Sequence, residues 1–189
     1  MVHKKVIDRM LKMPHNQEFE VPIREEMFGL ERLEEYAQYL ATELPVSRKK
    51  QRGRSLLPRL EENYQCLVKT YKALTDAAQR GATITPAGEW LVDNFHIIDD
   101  QVREVREDLP EQYYRELPKI TKGGLINYPR VYGIALTLIA HQDSHIDIET
   151  VKKFLRSYQK SSPLLIGEVW AMAIAIRIAL IENLRRLSN

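Results

Sequence analysis

Residues 89–117 read EWLVDNFHIIDDQVREVREDLPEQYYREL, and this stretch decides the fold. Within it Leu91, Phe95, Ile98, Val102, Val105 and Leu109 recur in steps of four and three, the spacing that lines one face of an α-helix. That face predicts a core seam. Trp90 and Asn94 flank it on one shoulder and Asp99 and Arg106 on the other, with Asp93, His96 and Asp100 behind. Pro110 breaks the pattern, and Tyr113 and Tyr114 follow in a short helical piece.

The same arithmetic extends outward from this seam. Upstream, Leu57, Leu60, Tyr64, Leu67, Tyr71, Leu74 and Ala78 form a second long stripe, opened by Ser55 and Pro58 and stopped by Gly81. Thr85 and Pro86 are an N-cap and first-position pair for the helix that carries Leu91. Two long helices joined by so short a turn are expected to pack antiparallel. Further upstream Leu30, Leu33, Ala37, Leu40 and Leu44 mark another helix, closed by Pro45, and Val6, Met10 and Met13 a short amphipathic one, followed by the extended segment EFEVPI.

Downstream, the two glycines and bounding prolines of PKITKGGLINYP predict an irregular loop. Residues 129–141 are apolar on most sides and predict a buried central helix. Asp147 is placed to cap the next helix, and Ser162 with Pro163 to open the last one, whose end at Glu182, Asn183, Arg185 and Arg186 is expected to be wet. No segment alternates as a strand should. The expected fold is all-α, a multi-helix bundle with a long antiparallel hairpin and a buried carboxy-terminal helix. Residues 1–54 are expected to be peripheral and 55–189 the main bundle of a single domain.

Composition narrows the function classes. With 44% hydrophobic and 29% charged residues the chain has an ordinary globular balance, so disorder is not its default. A formal charge of +2 gives no footprint for nucleic acid over the whole surface. The lone cysteine, Cys66, forms no internal disulfide, and no apolar leader opens the chain, so cytoplasm is the simplest compartment. The most apolar stretch, residues 164–181, is interrupted by Glu168 and Arg177 and reads as a buried helix instead of a membrane span. Each of those two charges needs a partner on another helix, or, for Glu168, a place in the first turn.

Three groupings carry possible chemistry. His141, Asp143, His145 and Asp147 offer imidazole and carboxylate ligands for a metal, although Asp, Ser and His are equally the residues of a helix-to-helix turn. Trp90, Tyr113, Tyr114, Tyr128, Tyr132 and Trp170, beside Asp93, His96, Arg115 and Arg130, have the aromatic and planar polar character of a sugar-binding surface; the competing reading is core filling and helix capping. The run SRKKQRGR, holding Arg48, Lys49, Lys50, Arg52 and Arg54, is a solvated loop or a contact for anionic lipid. Asp93 and Asp100 share one helix face about 10 Å apart along the axis, the wrong arrangement for two carboxylates acting across a glycosidic bond.

The blocks WLVDNFHIIDDQVREVREDLPEQYYRELPKI, GLINYPRVYGIALTLIAHQDSHID and PLLIGEVWAMAIAIRIALIENLRRL, in this order, closely resemble the amino-terminal region of bacterial cyclic β-1,2-glucan synthases. The resemblance begins near RGRSLLPRLEENY and covers most of the chain. It implies a very large inner-membrane parent that polymerises glucose from UDP-glucose with a divalent metal, closes the chain into a ring, and ends in a glycoside-phosphorylase-like module. Neither catalytic module is visible here. With no catalytic motif in this chain, the expectation is a non-catalytic, cofactor-free accessory region at the cytosolic face of such a parent, docked on the remaining modules or touching β-1,2-glucan; polar and aromatic density puts the expected contact at Trp90, Asp93, His96, Tyr113, Tyr114, Arg115, Arg130 and Tyr132. Two readings stay open beside it: a free-standing adaptor binding protein or anionic lipid through Arg48–Arg54, and a small metal-dependent hydrolase at His141, Asp143 and His145.

Overall fold

The structure, a computed structural model, describes residues 22–49 and 53–188. Seven helices are present among them: α1 (Leu30–Glu43), α2 (Leu57–Gln79), α3 (Pro86–Asp108), α4 (Glu111–Glu116), α5 (Arg130–His141), α6 (Ile148–Gln159) and α7 (Ile166–Leu187). Two short strands, β1 (Val46–Ser47) and β2 (Lys119–Ile120), pair antiparallel with Val46 opposite Ile120. That pairing is the one departure from the all-α expectation. It is too short for sequence alternation to reveal, and the Thr121 amide donating to Pro45 O at 2.9 Å extends it.

The hairpin forms as its punctuation requires. Gly81 adopts φ 74°, and the amides of Gly81 and Ala82 return to Ala78 O (2.9 Å) and Ala77 O (3.0 Å), closing α2 with left-handed glycine geometry. Thr85 Oγ1 then accepts the Gly88 amide at 3.1 Å, and Pro86 takes the first position of α3. The arms run antiparallel: Glu61 meets Arg106, Tyr64 meets Asp99, Tyr71 stacks on Phe95 at 4.4 Å, and Gly88 lies against Leu74. Leu91, Ile98, Val102, Val105 and Leu109 are buried as the seam predicts, with Phe95 half-buried.

Helix α5 is the centre of the domain, with every residue from Arg130 to His141 buried. It packs on α7, while α1 packs on α6, and α2 and α3 both lean on α7. Residues 30–49 are therefore not peripheral: Leu33, Ala37 and Leu40 are fully enclosed. Nor is the extended stretch 22–29, because its backbone satisfies the free end of α5. The Glu25 amide donates to Ala140 O (2.9 Å), the Phe28 amide to His141 O (3.1 Å), and the Phe28 ring stacks on His141 at 3.8 Å. The expected helix around Val6, Met10 and Met13, most of EFEVPI, and Lys50 to Arg52 lie outside the described residues.

Two helix boundaries differ from expectation. Asp147 caps α6 as predicted, its Oδ1 accepting the amides of Glu149 and Thr150. Ser162 and Pro163 do not open α7, which starts at Ile166. The Ser162 hydroxyl is taken by Arg130, and the Glu168 carboxylate reaches back to the Leu165 amide at 2.9 Å, capping the helix three residues later. The end of α7 is not wet either: Glu182, Asn183 and Arg186 are all buried.

Candidate functional site

The charged residues of α7 organise two interior clusters. Near its start, the Arg130 guanidinium holds Glu168 by a two-pronged pair, Nε to Oε1 at 2.5 Å and Nη2 to Oε2 at 2.6 Å. Its remaining donors reach Ser162 Oγ and Pro163 O, both at 2.8 Å. Both side chains are essentially sealed from solvent, at 1% and 0% exposure. Satisfied on every prong, the pair fixes the turn from α6 into α7 to the side of α5.

Near the other end, Arg59 of α2 donates to both oxygens of Glu182 at 2.6 Å, and Tyr132 and Arg186 complete the shell with their own bonds to that carboxylate. Burial raises the Glu182 pKa, but the bond and charge of Arg59, with Arg186 and Tyr132, outweigh it and hold the carboxyl below its usual range. Beside it Asn183 accepts the Ile23 amide at 2.6 Å and donates to Ser144 Oγ at 2.8 Å, and Arg185 Nε donates to Asn63. Sequence reasoning missed this cluster. Its signal was present, since Ala171, Ala175, Ile178 and Glu182 continue one core row in steps of four and three, with Arg186 a further turn on.

The residues expected to share one contact surface are not brought together. Arg130 and Tyr132 are interior, spent on Glu168 and Glu182, and present nothing to a ligand. Tyr114 is buried with its hydroxyl on Arg54 O, and Tyr113 is half-buried with its hydroxyl on Gly167 O. Arg115 is exposed. Trp90, Asp93 and His96 are exposed along α3, and Trp90 rims a largely apolar cleft of about 650 Å³ with Leu74, Leu91, Leu184 and Leu187. Tyr113 touches the first turn of α7 and the Trp90 cleft its last, and 22 residues of helix separate these ends by about 30 Å. A single surface is replaced by two separate ones.

The metal grouping is not assembled. His141 faces inward, its Nδ1 bonded to Glu26 O at 2.7 Å, while Asp143 points outward to Arg24 at 2.6 Å and His145 is exposed. Asp143 and Ser144 take left-handed backbone conformations that turn the chain, which separates the side chains. Among the described residues no group of three or more such ligands exists. Arg177, the second charge in the apolar stretch, is half-buried and pairs with Glu104 (3.5 Å) and Asp108 (3.9 Å) of α3.

One interior cation remains. Lys119 is fully enclosed, its ammonium donating to Tyr114 O (2.5 Å) and Leu117 O (2.7 Å) and lying 4.5 Å over the Tyr114 ring. Burial pushes its pKa down to about 8. Gly53, at φ 60°, closes over the lysine stem, where a side chain would collide with Lys119 Cε.

No family model matches the chain. Over 147 residues, 73% of its length, it is 36% identical to the cyclic beta-(1,2)-glucan synthase NdvB of Rhizobium meliloti (strain 1021). The chain is related to a region of that synthase. The matched part is 5% of the synthase's length, so the chain corresponds to a small portion of a very long polypeptide. Among the described residues no helix is long and apolar enough to cross a membrane.

Proposed function

We propose that this helical domain is a non-catalytic accessory region of a cyclic β-1,2-glucan synthase, one that docks on the catalytic modules and supports their polymerisation of glucose from UDP-glucose. The observation that carries this reading is the 36% identity to 5% of a far longer synthase. The architecture fits the role, because the interior Arg130–Glu168 and Arg59–Glu182–Arg186 clusters spend their charges on locking helices together. The exposed α3 flank carrying Trp90, Asp93 and His96 is the surface offered to a partner module or to glucan, with Arg115 at a separate place. Any divalent metal and UDP-glucose belong to the catalytic modules, and the domain works on the cytosolic side of the membrane.

Immunoblotting of membrane and soluble fractions from the source cells tests the assignment. A membrane-bound band many times larger than 22.1 kDa is the expected result, and a soluble band near that mass overturns it. In the native polypeptide, Trp90→Ala with Asp93→Ala is expected to lower cyclic glucan output at unchanged protein level. Unaltered output removes the α3 flank from the mechanism.

A further inference from the structure

The first turns of α7 leave four apolar side chains in water. Ile166 is 78% and Trp170 74% exposed, and Leu165 and Val169 are exposed beside them. Spacings of three and four residues put Ile166, Val169 and Trp170 on one face. Single exposed apolar residues need no explanation, but a contiguous group with a tryptophan marks an interaction site. The group is also held rigidly. Arg130 grips Ser162 and Pro163 from beneath, and Glu168 caps Leu165, so a sealed ion pair props these side chains outward.

Positive charge stands beside this face. Arg48, exposed and the first basic residue of the run SRKKQRGR, donates to Pro163 O at 3.4 Å, next to Leu164 and Leu165, and Lys49 is exposed after it. Lys160, also exposed, precedes the same turn. Aliphatic and indole groups flanked by arginine and lysine match the two layers of a membrane surface, acyl chains below and anionic headgroups above.

We propose that the start of α7, through Leu165, Ile166, Val169 and Trp170, inserts into the interface of an anionic bilayer while Arg48, Lys49 and Lys160 hold the headgroups. This goes beyond the accessory reading and does not depend on it. The domain lies on the membrane by this face, and among the described residues no helix is long and apolar enough to cross it.

The test is sedimentation of the 189-residue chain with phosphatidylcholine vesicles, with and without phosphatidylglycerol. Binding is expected only with phosphatidylglycerol, and it weakens as sodium chloride is raised. Arg48→Gln with Lys49→Gln is expected to weaken it about 25-fold, at about five-fold per charge. Ile166→Ser with Trp170→Ser is expected to weaken it by ten-fold or more, on the order of the apolar area withdrawn from water. In the Trp90→Phe chain, the emission of Trp170 shifts to the blue on binding. All these positions are exposed, so helical circular dichroism and melting stay unchanged and report that each variant folds. No binding to anionic vesicles, or binding indifferent to the Ile166 and Trp170 changes, overturns the proposal. Self-association of the lipid-free chain that those two changes abolish also overturns it, in favour of a protein partner.

Discussion

The two ends of α7 treat their side chains in opposite ways. The first turns expose Ile166 and Trp170, whereas the last turns bury Glu182, Asn183 and Arg186. Polarity alone would assign them the other way round. The difference lies in what stands opposite. At the carboxy-terminal end α2 supplies Arg59 and α5 supplies Tyr132, and with Arg186 of α7 itself they give the buried carboxylate four directed bonds in place of water. At the amino-terminal end Glu168 faces Arg130 and Gly167 faces Tyr113, while Ile166 and Trp170 beside them stay exposed. Burial follows from available partners, and residue type sets only its cost.

Removing the centre of the buried end should break this contrast most strongly. Glu182→Leu leaves Arg59 and Arg186 facing one another without their shared anion, and urea denaturation should show a loss of about 4 kcal/mol. Arg130→Met leaves the Glu168 carboxylate sealed and unpaired, with an expected loss of about 3 kcal/mol in the same measurement. A smaller loss in either variant would mean that water reaches these clusters.

Titration probes the interior from another direction. Lys119 has a folded pKa of about 8, below the 10.5 of the unfolded chain, so between these values the unfolded state binds more protons. Stability should rise as pH increases from about 8 towards 10, and Lys119→Met should flatten that slope. His141, held down by burial, works in the same sense at lower pH: its contribution is complete above the unfolded value of 6.5 and is lost as pH falls through its lower folded pKa. His141→Gln should weaken the acid dependence, read from unfolding midpoints between pH 7 and about 5. The smallest effect is expected at the exposed end, where Ile166→Ser should change stability by less than about 0.5 kcal/mol. A large loss there would show that the apolar face is covered within the domain.

The legible part of the molecule is the part governed by local rules. The α3 seam, the Gly81 stop, the Thr85 and Asp147 caps and the burial of α5 all follow from spacing or from a side chain satisfying its own backbone. The start of α7 was not legible, because Ser162 and Pro163 form a good local signal that Arg130, distant in sequence, overrides by taking the hydroxyl. The contact surface failed for a similar reason. Arg130 and Tyr132 have the composition of a sugar site, but their polar atoms are consumed by Glu168 and Glu182. His141 likewise resembles a metal ligand until Glu26 O takes its Nδ1.

By itself the sequence determined the helices, the antiparallel hairpin and the relation to a glucan synthase, because periodicity, caps and block order are properties of neighbouring residues. Only the tertiary structure decided which charges are interior and which apolar residues are left in water. Whether Glu182 can be buried depends on Arg59, 123 positions away, and whether Trp170 stays exposed depends on where the neighbouring helices end.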